Sequence, residues 1–220
     1  MDTPPAAQAV AIVAGATGLV GRELVRRLAS ESAWREVRAL LRRGLPPELA
    51  GPTVTAVPVD YERLEPPPPW TAADHVFCAL GTTMHEAGSA AGFRLVDFEY
   101  PVALARAARA RGARHFLLVS AVGAAPGSRV FYNRVKGEVE AAVTALGFRS
   151  VTIARPSLLL GRRAEPRLGE QVGKVLGVLA PPRWRPVPAA RVARALVEAA
   201  ERDLPGVHVL ENRELRAAAG

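Results

Sequence analysis

The sequence has one cysteine, Cys78, and so cannot close a disulfide within the chain. Cys78 lies in the apolar run 76–80, where a thiol serves as a small buried hydrophobe rather than a nucleophile. Lysine is nearly as scarce: Lys136 and Lys174 are the only lysines among 29 basic side chains. The four histidines, His75, His85, His115 and His208, show no ligand spacing, and no metal is expected. Long apolar runs are missing too. The longest uncharged apolar stretch, 9–21, is broken by glycine and too short to cross a bilayer, and residues 1–8 lack the basic start and apolar core of a leader. A cytoplasmic protein is expected. Aromatics are only 5% of the chain, and the net charge of +8 is spread along the predicted helices, not gathered in a basic run with aromatics between. Neither nucleic acid nor a membrane is therefore expected as partner, and oligomeric state stays open.

What the chain does have is alternation. At 220 residues it suits one well-filled core. Short Val, Ile and Leu runs at 9–14, 37–41, 54–59, 75–80, 115–120, 151–154 and 207–210 read as strands. Amphipathic stretches at 19–29, 97–111, 129–146, 168–179 and 189–202 read as helices between them, with Asp97 capping the second so that Pro101 falls in its first turn. The proline run 66–69 predicts an irregular connection and the cluster 181–188 a loop. The expected fold is α/β, a single-domain Rossmann-type doubly wound parallel sheet flanked by helices over residues 1–220, with a small substrate-side segment near 156–190.

The first strand runs straight into Gly15, Ala16, Thr17, Gly18, Leu19, Val20 and Gly21 and then a helix. That is the setting of a dinucleotide turn: glycine lets pyrophosphate approach the backbone, and the helix start faces the phosphates. The second strand ends on Arg42 and Arg43, with no acid to take a ribose 2′-hydroxyl. Two guanidiniums suit a 2′-phosphate, so NADP(H) is expected. Asp60 after the third strand is placed to accept from the adenine amino group, and Leu80, Gly81 and Thr82 to pass beneath the nicotinamide-side ribose.

Ser120 ends the fifth strand, and Tyr132 and Lys136 stand four apart on a helix, hence on one face. A phenol is a weak acid at neutral pH and needs a neighbouring ammonium to stabilise the phenolate. Lys136 can do this and also donate to the ribose, while Ser120 holds a substrate oxygen and Tyr132 passes it a proton.

The GxxGxxG turn, Arg42-Arg43, residues 77–83, residues 87–97, His115-Phe116, Tyr132 with residues 135–141, and Arg155-Pro156 together resemble the atypical short-chain dehydrogenase/reductases related to the human Tat-interacting protein. The resemblance implies NADPH binding on a Rossmann fold, reductase positions for Ser120, Tyr132 and Lys136, and cofactor contacts from Leu159 and Arg167. His85-Glu86 and Asn133-Arg134 depart from the relative, so substrate choice does not transfer. Two functions follow from this: an NADP(H)-dependent oxidoreductase acting on a small carbonyl or alcohol, and a non-catalytic NADPH-sensing regulatory or assembly protein.

Overall fold

The apolar runs form seven parallel strands. A computed structural model describes residues 8–161 and 181–217. The strands are β1 (Ala9–Ala14), β2 (Trp34–Leu41), β3 (Val54–Pro58), β4 (His75–Cys78), β5 (His115–Val119) and β6 (Ser150–Arg155), with β9 (Gly206–Glu211) at the far edge. Their order is β3-β2-β1-β4-β5-β6-β9, and every neighbouring pair is parallel. β4 and β5 are buried throughout and read as continuous apolar runs, whereas β9 alternates as an edge strand should. A two-residue ladder, β7 (Leu159–Leu160) with β8 (Val187–Pro188), lies beyond β6.

Helices cover both faces. On one, α1 (Leu19–Ser30) and α6 (Ala189–Arg202) bury Leu24, Leu28, Val192 and Leu196 against Val13 and Phe77. On the other, α4 (Tyr100–Ala110) and α5 (Phe131–Thr144) bury Leu104, Ala108, Val139 and Val143 against Ile12, Val76 and Phe116. The last helix, α7 (Asn212–Ala217), adds Leu215 to the first face. Chain order reverses between β1 and β4, so their carboxyl ends open the crevice where α/β sheets hold ligands.

The helix expected to start at Asp97 is different. Helical structure begins earlier, with α2 (Met84–Ala87) and α3 (Ala90–Arg94), and passes through a π turn, Leu95–Glu99, into α4. Asp97 is buried inside that turn and caps nothing. The wider turn accommodates Pro101, whose ring would otherwise press on the carbonyl of Asp97. The other helices lie within two residues of expectation, but the one predicted at 168–179 lies outside the described residues. The proline run does replace a crossover helix, as expected, with a single 3₁₀ turn at Pro69–Thr71.

Candidate functional site

The glycine turn separates its glycines by task. Gly15 has φ +75°, and a Cβ there would stand 2.5 Å from the Ala79 carbonyl oxygen. A Cβ on Gly21 would stand 2.0 Å from the Gly15 oxygen, so these two close the turn against β4 and α1. Gly18 differs, because its Cβ would meet only the Gly15 oxygen, at 3.2 Å. A side chain there would ask the turn to give by only a few tenths of an ångström, far less than at Gly15 or Gly21. Gly18 also begins α1 with no side-chain cap and no acid in the first turn, which leaves the Leu19 and Val20 amides without intrahelical acceptors. A glycine cap in place of a capping side chain costs only a few tenths of a kcal/mol. The buried Leu24, Val25 and Leu28 outweigh that at roughly 1.5–3 kcal/mol each, so α1 can present a bare positive end to an anion.

Arg42 and Arg43 stand exposed at the carboxyl tip of β2, around an open depression of about 150 Å³ lined also by Leu41, Gly44, Leu45, Ala56 and Pro58. Among the described residues neither guanidinium has a hydrogen bond or ion pair. Asp60 sits on the neighbouring turn, where its carboxylate accepts from the Glu62 amide at 3.0 Å and lies 3.4 Å from Arg63 Nε. It is partly occupied in holding its own loop.

Asp97, read from the sequence as a cap, ties the next pieces together. Its Oδ2 accepts from the Thr82 amide at 2.8 Å and its Oδ1 lies 2.8 Å from Lys136 Nζ. Gly81 packs beside both, since a Cβ there would be 3.5 Å from Asp97 Oδ1 and 3.9 Å from Lys136 Nζ. The loop of Leu80, Gly81 and Thr82 is thereby fixed against Lys136. Burial opposes the charge on Lys136, but Asp97 and Tyr132 outweigh it and raise its pKa above the usual lysine value. Tyr132 stands one turn earlier on α5, half-buried, its ring 5.5 Å from that of Phe93.

Ser120 is buried behind this pair, and its hydroxyl donates to Glu140 Oε1 in a very short bond. Glu140 follows Lys136 by four residues on α5, so Tyr132, Lys136 and Glu140 form one stripe. Arg155 grips the same carboxylate through Nε at 3.1 Å and Nη2 at 2.6 Å. Ser120 was expected to offer a donor to substrate. Its one proton is given to Glu140 instead, and only its lone pairs remain.

Leu159 in β7 packs against the core beside α1, and Gly161 passes so close to Leu19 that a Cβ would meet the leucine at 2.8 Å. That segment borders the glycine turn. Arg167 lies outside the described residues. Trp184, 42% exposed, leans on Gly123, and its carbonyl accepts a hydrogen bond from the Ser157 hydroxyl, adding an aromatic to the rim near Asn133 that the sequence did not mark.

Residues 15–203 match the model of the NAD(P)H-binding family. Protein HTATIP2 of Rattus norvegicus is 37% identical over 190 residues, which cover 84% of this chain and 78% of that protein. Protein FMP52 of Eremothecium gossypii is 36% identical over 171 residues, 77% of this chain and 75% of its own. Among solved structures, MoeE5 in complex with UDP-glucose and NAD superposes with a TM-score of 0.71 at 18% identity, over 91% of this chain and 75% of that one. The last likeness shows the fold alone. The names also correct the cytoplasmic expectation, since the FMP52 proteins of Eremothecium gossypii, Coccidioides immitis, Scheffersomyces stipitis and Saccharomyces cerevisiae are called mitochondrial. Among the described residues no helix is long and apolar enough to cross a membrane, but that observation does not choose between aqueous compartments. By family model and by its relatives, the chain belongs to the NAD(P)H-binding family, with HTATIP2 and FMP52 among its relatives.

Proposed function

We propose that this protein is an NADP(H)-dependent oxidoreductase that interconverts a small carbonyl compound and its alcohol. The observation that carries the reading is the stripe on α5: Tyr132, then a buried Lys136 whose ammonium lies against Gly81 at the carboxyl edge of the sheet. An arginine-rich chain keeps one of its two lysines there, where a compact ammonium fits and a flat guanidinium does not.

The residues present fit the dinucleotide. The bare start of α1 and the open space at Gly18 suit a pyrophosphate, and the unpaired Arg42 and Arg43 suit a 2′-phosphate. Asp60 would hold the adenine, Leu80, Gly81 and Thr82 the nicotinamide-side ribose, and Leu159 would border the cofactor beside the glycine turn. When bound, the cofactor supplies or accepts the hydride. Tyr132 passes the proton to the substrate oxygen, and Lys136 stabilises the negative charge left on the phenol oxygen. Asp97 keeps Lys136 charged and in place. Ser120 accepts a hydrogen bond from the hydroxyl of the alcohol form.

One observation favours a second reading, an NADPH-sensing protein without turnover. Both the Ser120 proton and the Lys136 charge are already engaged inside the protein, with Glu140 and Asp97. Steady-state oxidation of NADPH against a panel of aldehydes, ketones and quinones tests the choice. The oxidoreductase reading expects turnover with at least one class; tight NADPH binding with no turnover across the panel would leave the sensor.

A further inference from the structure

The ends of β4 and β5 away from the cofactor turn hold a second cluster. His75 opens β4, His115 opens β5, and the parallel register pairs them directly, with ring centroids 5.5 Å apart. Asp203 closes the group from the turn that follows α6. One nitrogen of each histidine and one carboxylate oxygen all lie within 4.8 Å of one another. His75 Nδ1, His115 Nδ1 and Asp203 Oδ1 are each shielded from solvent and each lack a hydrogen bond, although His115 Nδ1 and Asp203 Oδ1 approach to 3.4 Å. Three orphaned polar atoms on three residues of one cluster are unusual, because buried polar groups nearly always find partners.

The remaining atoms of the three residues are engaged. His115 Nε2 lies 2.9 Å from Thr152 Oγ1, and His75 packs edge-on against Trp34. Asp203 Oδ2 accepts from Arg114 Nε at 2.9 Å and Arg149 Nη1 at 2.8 Å. The rings are thus oriented by outer contacts, as metal-ligating histidines are. Burial, with Arg114 adding to it at His75 and His75 adding to it at His115, holds both imidazoles down to about 4, so both are neutral and able to ligate near pH 7.

We propose that His75, His115 and Asp203 bind one divalent ion of the zinc class, with water as the fourth ligand, and that the ion pins β4, β5 and the α6–β9 turn together. Two imidazoles and a carboxylate are a donor set that suits zinc and cobalt(II). Ligand atoms about 2.0–2.2 Å from a tetrahedral ion stand about 3.4 Å apart. The His115–Asp203 edge already has that length, and His75, within 4.8 Å of both, needs to close by at most about 1.4 Å. One contact must yield. Arg114 Nη2 lies 3.1 Å from His75 Nε2, and coordination through Nδ1 places the ring proton on Nε2. Arg114 is 42% exposed and also held by Asp74, so it can turn outward and leave Asp203 and Asp74 to balance the ion. The site lies at the opposite end of the strands from Gly18 and Lys136, and so serves stability rather than hydride transfer.

The test is cobalt(II) titration of the full chain after chelator treatment, read by visible absorption, with zinc competition and a thermal melt alongside. One cobalt per chain with the spectrum of a four-coordinate ion, displaced by equimolar zinc, and a melting temperature raised by zinc are expected. His75→Leu and Asp203→Asn should weaken cobalt at least tenfold, Arg114→Ala should tighten it, and His85→Gln and His208→Gln should leave it unchanged. Nucleotide affinity should be the same in all five. If either ligand variant fails to fold, the stoichiometry of the unmodified chain and the sign of the Arg114→Ala change carry the test. No saturable binding in the unmodified chain, binding that follows His85 or His208, or no tightening on removal of Arg114 would overturn the proposal.

Discussion

Lys136 Nζ lies 2.8 Å from Asp97 Oδ1, and the two side chains are 6% and 0% exposed. Asp97→Asn keeps the shape and strands the ammonium. Breaking a buried pair from one side costs about 3–5 kcal/mol, and urea unfolding at neutral pH should show a loss on that scale. The pH dependence fixes the cause. The raised pKa of Lys136 makes the pair's contribution complete below the unfolded-state value near ~10.4 and lost as pH climbs through the folded value. In the variant Asp97 no longer offsets the burial of the lysine, although Tyr132 still does in part, so that protein lacks the pair's pH-dependent contribution. The gap between the two should narrow at alkaline pH.

Gly18→Ala and Gly21→Ala should fail in different ways. The Gly21 variant drives a Cβ into the Gly15 carbonyl oxygen and should lose roughly 1–3 kcal/mol or more of stability. The Gly18 variant meets only one oxygen, at 3.2 Å, and should melt near the parent while losing most of its NADPH affinity. Thermal melts and fluorescence titration of NADPH read the two effects separately; full binding by a folded Gly18→Ala would make the turn purely structural.

NADPH should bind more tightly than NADH, because only the former brings a phosphate to the unpaired Arg42 and Arg43. Alanine at both should narrow the gap by about 1.5–3 kcal/mol per lost charge-assisted bond. Calorimetry giving equal affinities in the unmodified protein would remove the preference.

The glycine turn, the arginine tip and the strands are local: each is a run of adjacent residues whose spacing already encodes its geometry. Asp97 was misread because an acid just before a helical pattern looks like a cap; only the π turn buries it and aims it at Lys136 and Thr82. The Ser120–Glu140 bond was missed for the opposite reason. Glu140 stands at helical spacing from Lys136, a visible signal, but its contact with the end of β5 depends on how α5 packs. His75 and His115 looked scattered because strand register, not spacing, makes them neighbours.

Cys78 should be inert in the folded protein. It is fully buried in β4, and burial pushes its thiol up to about 12, so thiolate is scarce at neutral pH. A thiol reagent should label the native chain only at the rate of unfolding and label the denatured chain at once. Rapid native labelling would mean that β4 opens.

The stripe of Tyr132 and Lys136 is the centre of the account, and Tyr132→Phe examines it most directly. The variant keeps the ring against Phe93 and removes one proton. NADPH affinity should be unchanged, while single-turnover NADPH oxidation with any substrate found in the panel should slow roughly a hundredfold or more, the effect of losing a positioned general acid. Equal single-turnover rates for the two proteins would contradict the account.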